Sequence, residues 1–243
     1  METAIKVEKL KKSYGNTTVV NNIDISVKIG EVFGLLGANG AGKSTAIECI
    51  LGTHEPDSGE ISILGLDPKA DRKNLFEYVG VQFQEANYQD KIRVFELCEE
   101  TQCLYKETTD YNVLLNQFGL TEKANSFVSE LSGGQKQKLF IILALIPNPK
   151  VVFLDELTTG LDTKARRDVW KCLSDLKQKG LTIFLTSHFM DEVEVLCDRI
   201  MILKKGSMVF TGNVEEAIKN SPYDNFEDAY LWHAEEEKID ENI

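Results

Sequence analysis

A glycine-rich segment, GANGAGKST at residues 37–45, has the residue types and spacing of a phosphate-binding loop. It fits the pattern G-x-x-x-x-G-K-[ST] through Gly37, Gly42, Lys43 and Ser44. Glycines let backbone N–H groups curve around an anion, the Lys43 ammonium can reach the β- and γ-phosphates, and the Ser44 hydroxyl can bind Mg²⁺. The sequence predicts an apolar strand before this loop and a helix after it, which is the context that such chemistry requires.

Two adjacent carboxylates end a second apolar run, VVFLDE at residues 151–156. Asp155, at the end of a buried strand, is predicted to reach the Mg²⁺ shell. Glu156 lies where the chain leaves the strand, a position suited to polarising a water molecule. An Asp-Glu pair alone is more often a charge cluster at a helix start, but the phosphate loop upstream favours the catalytic interpretation.

A second glycine-rich helix start, LSGGQ at residues 131–135, needs a separate explanation. Ser132 and Gln135 fit a capping box, yet capping does not require two glycines. Gly133 and Gly134 suit the close approach of another group to the helix N-terminus, which is an anion site. One phosphate loop leaves no second anion in the same domain. The simplest hypothesis is that this helix contacts the γ-phosphate bound by another copy of the chain.

The elements predicted around these loops are those of an α/β protein. The first thirty residues alternate like antiparallel strands around a turn at Gly15 and Asn16. KVVFLDE and LTIFLTSH lack alternation, which is typical of parallel strands buried on both faces. RIMILKKGSMVFTG predicts a closing hairpin. VFELCEETQCLY and TDYNVLLNQFGL predict helices, the first with one face formed by Val94, Leu97, Cys98, Thr101, Leu104 and Tyr105.

Composition excludes several other classes. The chain has 27 Lys and Arg against 39 Asp and Glu, so nucleic acid is a poor expected partner. Its five cysteines form no C-x-x-C pair, and we expect reduced thiols rather than disulfides or a zinc site. The N-terminus has no signal-peptide pattern, and the longest apolar run, LFIILALI, is too short to span a bilayer. We expect a cytoplasmic protein that contacts the membrane through a partner.

Six features in their order along the chain resemble the nucleotide-binding subunit of an ATP-binding cassette (ABC) transporter over residues 3–215: GANGAGKST, Gln84, LSGGQ, VVFLDE, TTGLD and His188. LSGGQ is this family's own signature. The resemblance implies an α/β fold with a P-loop NTPase (RecA-like) core, an N-terminal antiparallel β subdomain and an α-helical subdomain. It also implies ATP and Mg²⁺ as cofactors, and two cassettes that pack head to tail around two ATP molecules. The second cassette would be another copy of this chain or a sibling cassette.

The resemblance assigns roles to single positions. Glu156, His188 and Gln84 would be catalytic, and His188 would contact the γ-phosphate. Ser44, Gln84 and Asp155 would bind the metal. Tyr14 resembles the aromatic residue that stacks on adenine, and Asp162 the aspartate of a loop that crosses between subunits. The remaining ATP contacts would come from Gly37, Asn39, Gly40, Ala41, Gly42, Lys43, Ser44, Thr45, Ser132, Gly133, Gly134 and Gln135.

The expected organisation is one ABC ATP-binding domain over residues 1–243. Residues 1–85 and 131–215 would form the catalytic core with its β subdomain, 86–130 the helical subdomain, and 216–243 a C-terminal helix with an acidic tail. The sequence departs from the family at Leu157, where Pro is usual and would stiffen the strand exit.

The transporter resemblance implies an integral membrane permease subunit as partner, with the chain peripheral at the inner face of the membrane. Residues 84–97 are the predicted docking surface, with Tyr88 and Phe95 as apolar anchors or, equally, core residues. The segment NFEDAYLWHAEEE resembles the closing helix of drug, antibiotic or polysaccharide exporters, which favours export. The alternatives are an importer subunit or a soluble ABC ATPase of iron–sulfur cluster assembly, whose signature has Glu at the position of Gln135.

Overall fold

The computed structural model describes residues 2–82, 88–89 and 91–234. Its strands are β1 (Thr3–Tyr14), β2 (Thr17–Lys28), β3 (Val32–Gly37), β4 (Ser58–Ile63), β5 (Val79–Gln82), β6 (Val151–Asp155), β7 (Thr182–Thr186), β8 (Arg199–Lys204) and β9 (Ser207–Gly212). Its α-helices are α1 (Lys43–Ile50), α2 (Arg72–Leu75), α3 (Val94–Gln102), α4 (Tyr111–Gln117), α5 (Gly133–Leu145), α6 (Thr163–Gln178), α7 (Met190–Leu196), α8 (Val214–Lys219) and α9 (Phe226–Ala234). Short 3₁₀ helices lie at Thr121–Lys123 and Val128–Glu130. No helix in the described ranges is long and apolar enough to cross a bilayer.

The main sheet among the described residues has six strands in the order β5-β6-β7-β3-β8-β9. The first five are parallel, and β9 pairs antiparallel with β8 as the predicted closing hairpin. Every residue of β3, β6 and β7 is buried, which explains why these strands are apolar without alternation. The predicted parallel strands are therefore confirmed.

The N-terminal strands form a separate antiparallel sheet in the order β2-β1-β4. The turn between β1 and β2 falls at Gly15 and Asn16 as predicted, with Gly15 at φ 58°. The edge strand β4 was not predicted, because its sequence SGEISI is half exposed and carries only a weak apolar pattern.

The helix α1 lies between the two sheets and shares one apolar core with both. Its buried residues Ala46, Ile47 and Ile50 belong to the same cluster as Phe33 of the main sheet and Val7 of the antiparallel sheet. Helices α3 to α6 cover the opposite face of the main sheet, and α7 to α9 pack with β8 and β9 in a third cluster. The phosphate-loop helix is thus fixed on both sides before any ligand binds.

The helical region between β5 and β6 agrees with the predicted pattern except near the end of α3. Val94 and Cys98 are buried as expected, but Leu104 is 73% exposed and lies beyond the helix. The chain turns at Gln102, whose side-chain amide donates to the Thr109 carbonyl at 3.0 Å. The single apolar face predicted through Leu104 is therefore wrong at its C-terminal end.

Gly80 tests the packing of β5 against α5. A Cβ atom at this position would lie 1.9 Å from the carbonyl oxygen of Ala144, which is backbone and cannot move aside. We expect Gly80→Ala to lower the free energy of unfolding by about 3 kcal/mol, the upper end of the usual cost of overpacking. Urea denaturation measures this. Gly133→Ala is the control, since a Cβ there meets no atom within 4 Å. Equal midpoints for the two variants would contradict the observed contact.

Candidate active site

Three loops that follow adjacent parallel strands meet at one edge of the main sheet. The order β6-β7-β3 places the ends of these strands side by side, so residues 37–45, 155–156 and 187–188 converge. They surround a cleft of about 350 Å³. Its lining consists of Val19, Asn39, Gly40, Gly42, Lys43, Ser44, Thr45, Glu156 and His188. The structure therefore joins most of the predicted phosphate loop to two of the predicted catalytic residues.

The backbone of the phosphate loop packs so closely against neighbouring segments that side chains at two of its glycines would collide with carbonyl oxygens. Gly42 has φ 101°, and a Cβ there would lie 2.3 Å from the carbonyl oxygen of Val19. Behind the lining, Ala41 is buried and its carbonyl accepts from the Gly206 N–H at 3.0 Å. A Cβ on Gly37 would lie 2.6 Å from the Leu203 carbonyl oxygen. Gly37 and Ala41 therefore shape the loop, while the cleft is lined by Asn39, Gly40, Gly42, Lys43, Ser44 and Thr45.

Lys43 is held over the loop rather than extended into solvent. Its Nζ donates to the Gly37 carbonyl at 2.7 Å and to the Ala38 carbonyl at 3.2 Å. Burial lowers the pKa of Lys43, and the charges of Glu156 and Asp155 counteract that shift. An anion in the cleft would offer this ammonium stronger acceptors than the loop carbonyls.

The two carboxylates are positioned by a single hydroxyl on the neighbouring strand. Thr186 Oγ1 donates to Asp155 Oδ1 and accepts from the Glu156 N–H at 3.0 Å. Gln82 also reaches this point, since its side-chain amide donates to the Asp155 carbonyl at 3.3 Å. Hydrogen bonds from both flanking strands thus orient Asp155 and the first peptide of the following loop.

Glu156 and His188 are in direct contact, with 2.6 Å between Glu156 Oε1 and His188 Nε2. Glu156 has φ 50°, a left-handed conformation that costs a non-glycine residue about 1–2 kcal/mol. Leu157 offsets this strain because its side chain is fully buried in the core under α5 and α6. The start of the loop after β6 is therefore fixed by the burial of Leu157, at the position where the family that this sequence resembles has Pro.

The LSGGQ segment forms the N-terminus of α5 and does not line the cleft. Ser132 and Gln135 make the predicted capping box, with Gln135 N–H to Ser132 Oγ at 3.3 Å and Ser132 N–H to Gln135 Oε1 at 3.0 Å. A Cβ on Gly133 would meet nothing within 4 Å, so this position is open to an approaching group. A Cβ on Gly134 would lie 3.0 Å from Leu161 Cδ2. Gly134 therefore allows close packing against Leu161 within the same chain, which the sequence did not indicate.

Asp162 is also outside the cleft lining. Its carboxylate caps α6 by accepting from the Ala165 N–H at 2.8 Å. Because Leu161 contacts Gly134, the loop that carries Asp162 lies directly beside the start of α5. The structure therefore brings these two predicted cross-subunit segments together on one surface.

Tyr14 lies at the end of β1 and is 48% exposed. Its hydroxyl is 3.4 Å from His54 Nδ1, and the two rings meet edge to face. His54 is itself fixed by Glu48 of α1, at 2.8 Å. Sequence reasoning missed His54 as a neighbour of the predicted adenine site, because it lies forty residues away and belongs to no motif. Gln84 lies outside the described residues.

The oxygen donors at the cleft fit Mg²⁺. Ser44 presents an exposed hydroxyl at the start of α1. Asp155 ends β6 immediately before Glu156, and its charge acts on Lys43. Hydroxyl and carboxylate oxygens are hard ligands, and phosphate-bound Mg²⁺ uses only one or two of them from the protein. In the described part of the chain no three His, Cys, Asp or Glu side chains form a metal cluster. A hydroxyl and a carboxylate would suit a metal held jointly with phosphates.

Comparisons with known proteins agree with this geometry. Residues 20–159 match the family model described as "ABC transporter". The chain is similar to the Nod factor export ATP-binding protein I of Rhizobium etli, with 40% identity over 89% of this chain and 70% of that protein. Two solved structures superpose on it at 26% identity. They are an ATP-binding subunit of an ABC transporter, with TM-score 0.87 over 95% of this chain and 99% of that one, and a dimeric bacterial ABC transporter cassette, with TM-score 0.77 over 86% and 98%.

Thr186 tests whether strand-to-strand positioning of the carboxylates matters for chemistry. We expect Thr186→Val to lower kcat for ATP hydrolysis about 10- to 100-fold, because small misplacements of catalytic groups have effects of this size. Steady-state phosphate release measures it.

Thr182→Val is the matched control for this substitution. Thr182 is a buried threonine on the same strand whose hydroxyl accepts from the Gly30 N–H at 3.0 Å, away from the cleft. It should lose stability but keep its kcat. The same kcat in both variants would contradict a positioning role for Thr186.

Proposed function

The chain belongs to the ABC transporter family as an ATPase subunit, and we propose that it powers export through a separate membrane-spanning permease subunit. The observation that carries the proposal is the joint position of the phosphate loop, Glu156 and His188 around one cleft. A domain that only bound nucleotide would not require a carboxylate and an imidazole at that place.

The proposed chemistry assigns the phosphates to the loop and the attacking water to Glu156. Amides at the start of α1 have no partners within the helix and point towards an anion bound there. Lys43 transfers its hydrogen bonds from the loop carbonyls to the phosphate oxygens. Glu156 polarises the water, and His188, already bonded to it, orients its carboxylate and contacts the γ-phosphate. Ser44 and Asp155, with Gln84 as the further predicted ligand, would hold Mg²⁺, which would neutralise charge on the phosphates when bound.

The open side of this cleft supports a head-to-tail dimer. One chain provides the loop, Glu156 and His188, but its LSGGQ helix start lies elsewhere, with Gly133 facing open space. A helix N-terminus binds anions, so a second copy would place Ser132, Gly133 and Gln135 against the γ-phosphate. ATP at a hundred times its Kd would stabilise the closed dimer by about 2.7 kcal/mol per site. Opening after hydrolysis would drive the permease.

Export is favoured by the relatives, which are named Nod factor export ATP-binding proteins. Their names support a transporter role over iron–sulfur cluster assembly and over import. The permease would dock beside the helical region and hold the chain at the inner face of the membrane. Tyr88 of the predicted docking surface packs near Phe140 of α5, with ring centroids 6.2 Å apart, so movement there would reach the LSGGQ helix.

Glu156→Gln tests the dimer and the catalytic role together. The amide keeps the size of the side chain but is a poor acceptor for a proton of the water. We expect the variant to bind ATP with Mg²⁺, to hydrolyse it about 1,000-fold more slowly, within the range of single catalytic groups, and to elute as a dimer in gel filtration.

The control adds Ser132→Arg to Glu156→Gln. The bulky cation would obstruct the LSGGQ surface without touching the phosphate loop, so the double variant should bind ATP and stay monomeric. A monomeric Glu156→Gln chain at saturating ATP and Mg²⁺ would refute the two-copy site. Full hydrolysis by Glu156→Gln would refute the role of Glu156.

A further inference from the structure

Glu192 carries a fully buried carboxyl that takes no part in the chemistry proposed above. It lies in the first turn of α7, four residues after His188. Burying a carboxyl is costly unless hydrogen bonds replace its hydration. The buried carboxyl of Glu192 therefore indicates a role beyond filling space in the core.

Polar groups from three directions face this carboxyl. The Trp170 indole of α6 donates to Glu192 Oε1 at 2.9 Å. Burial raises the pKa of Glu192, and the groups that counteract the rise are the hydroxyls of Ser187 and Thr158, the Trp170 indole and the charge of Arg166. The carboxyl is thus surrounded by donors rather than by apolar side chains alone.

The network around Glu192 is incomplete in this conformation. Glu192 Oε2 and Thr158 Oγ1 are both inaccessible to solvent, and neither completes a hydrogen bond of ordinary geometry. Thr158 is itself fully buried. A buried polar atom without a hydrogen bond is costly, so a small movement that joined these two facing atoms would lower the free energy.

The three segments that meet at Glu192 each adjoin a proposed site residue. Thr158 follows Glu156 in the loop that ends at Asp162, and Ser187 immediately precedes His188. Trp170 is on the helix that Asp162 caps. One side chain therefore links the Glu156 loop, the Asp162 helix and the His188 loop, without reaching the cleft.

We propose that Glu192 is a positioning residue for hydrolysis, and that a Thr158–Glu192 hydrogen bond forms when the Glu156 and His188 loops take their reactive arrangement. The inference rests on the proposed function, because it presupposes that these two loops act on ATP. It assigns Glu192 an effect on turnover and none on nucleotide affinity.

The test compares variants of the full chain by kcat and KM for ATP, by nucleotide affinity from fluorescence, and by the urea midpoint. Glu192→Leu removes every acceptor, and Thr158→Val removes the facing hydroxyl. Each should lower kcat about 10- to 100-fold, as expected for displaced catalytic groups, with KM and affinity unchanged. Glu192→Gln should retain kcat within about 3-fold, since its amide can still accept from Trp170 and donate to the Thr158 oxygen.

Two further comparisons separate positioning from stability. Combining Glu192→Leu with Thr158→Val should lower kcat no more than the stronger single change, because both remove one interaction. Glu194→Leu, at an exposed position of the same helix, should change nothing. The proposal is overturned if kcat is unchanged in Glu192→Leu, if KM rises instead, or if loss of kcat follows the urea midpoint in every variant, Gln included. If the unmodified chain hydrolyses no ATP, the proposed function itself fails.

Discussion

Parallel pairing of β6, β7 and β3 is the constraint on which the candidate site depends. Their apolar residues are buried on both faces, and their polar side chains lie at strand ends. Asp155 and Thr186 end β6 and β7, whereas Thr182 begins β7 and accepts from the Gly30 N–H. Thr186 is the link between this framework and the chemistry, because one hydroxyl bonds to Asp155 and to the peptide of Glu156. The register Asp155↔Thr186 therefore determines where the loop that carries Glu156 starts.

The sequence was sufficient for features encoded by short-range patterns. The phosphate loop, the LSGGQ capping box, the N-terminal hairpin and the buried parallel strands follow from residue spacing, because glycine placement, capping and burial act over a few residues. The contacts of His54 with Tyr14, and of Leu161 with Gly134, join positions far apart in the chain. No local pattern marks them, and they could be found only once the tertiary structure had brought the segments together. The misplaced Leu104 has the same origin, since the helix ends at Gln102, whose side chain bonds to the carbonyl of Thr109, seven residues further on.

Two buried carboxyls illustrate how differently a fold can treat the same group. Asp155 lies at a strand end, where a hydroxyl from the adjacent strand donates to one of its oxygens and where its charge acts on Lys43. Glu192 lies behind the cleft, satisfied on one oxygen by Trp170 and left incomplete on the other. A satisfied network holds one geometry, whereas an unsatisfied one leaves free energy to be gained by a second geometry. The satisfied network of Asp155 therefore suits a metal ligand with a fixed position. The incomplete network of Glu192 suits a contact between segments that move relative to one another.

The surface formed by LSGGQ and Asp162 has a consequence for how two sites in the proposed dimer would communicate. Gly134 contacts Leu161, so the helix that would approach the partner's γ-phosphate lies against the loop that runs from Glu156 to Asp162 in its own chain. Thr158, in the middle of that loop, faces Glu192, whose helix begins beside His188. Displacement of the start of α5 by a phosphate bound across the interface would therefore press on Leu161 and on the loop that runs from Glu156 to Asp162. A larger residue at Gly134 would displace Leu161, so this coupling depends on the absence of a side chain at Gly134. At the neighbouring Gly133 a Cβ would meet no atom within 4 Å, so that position is open to the partner.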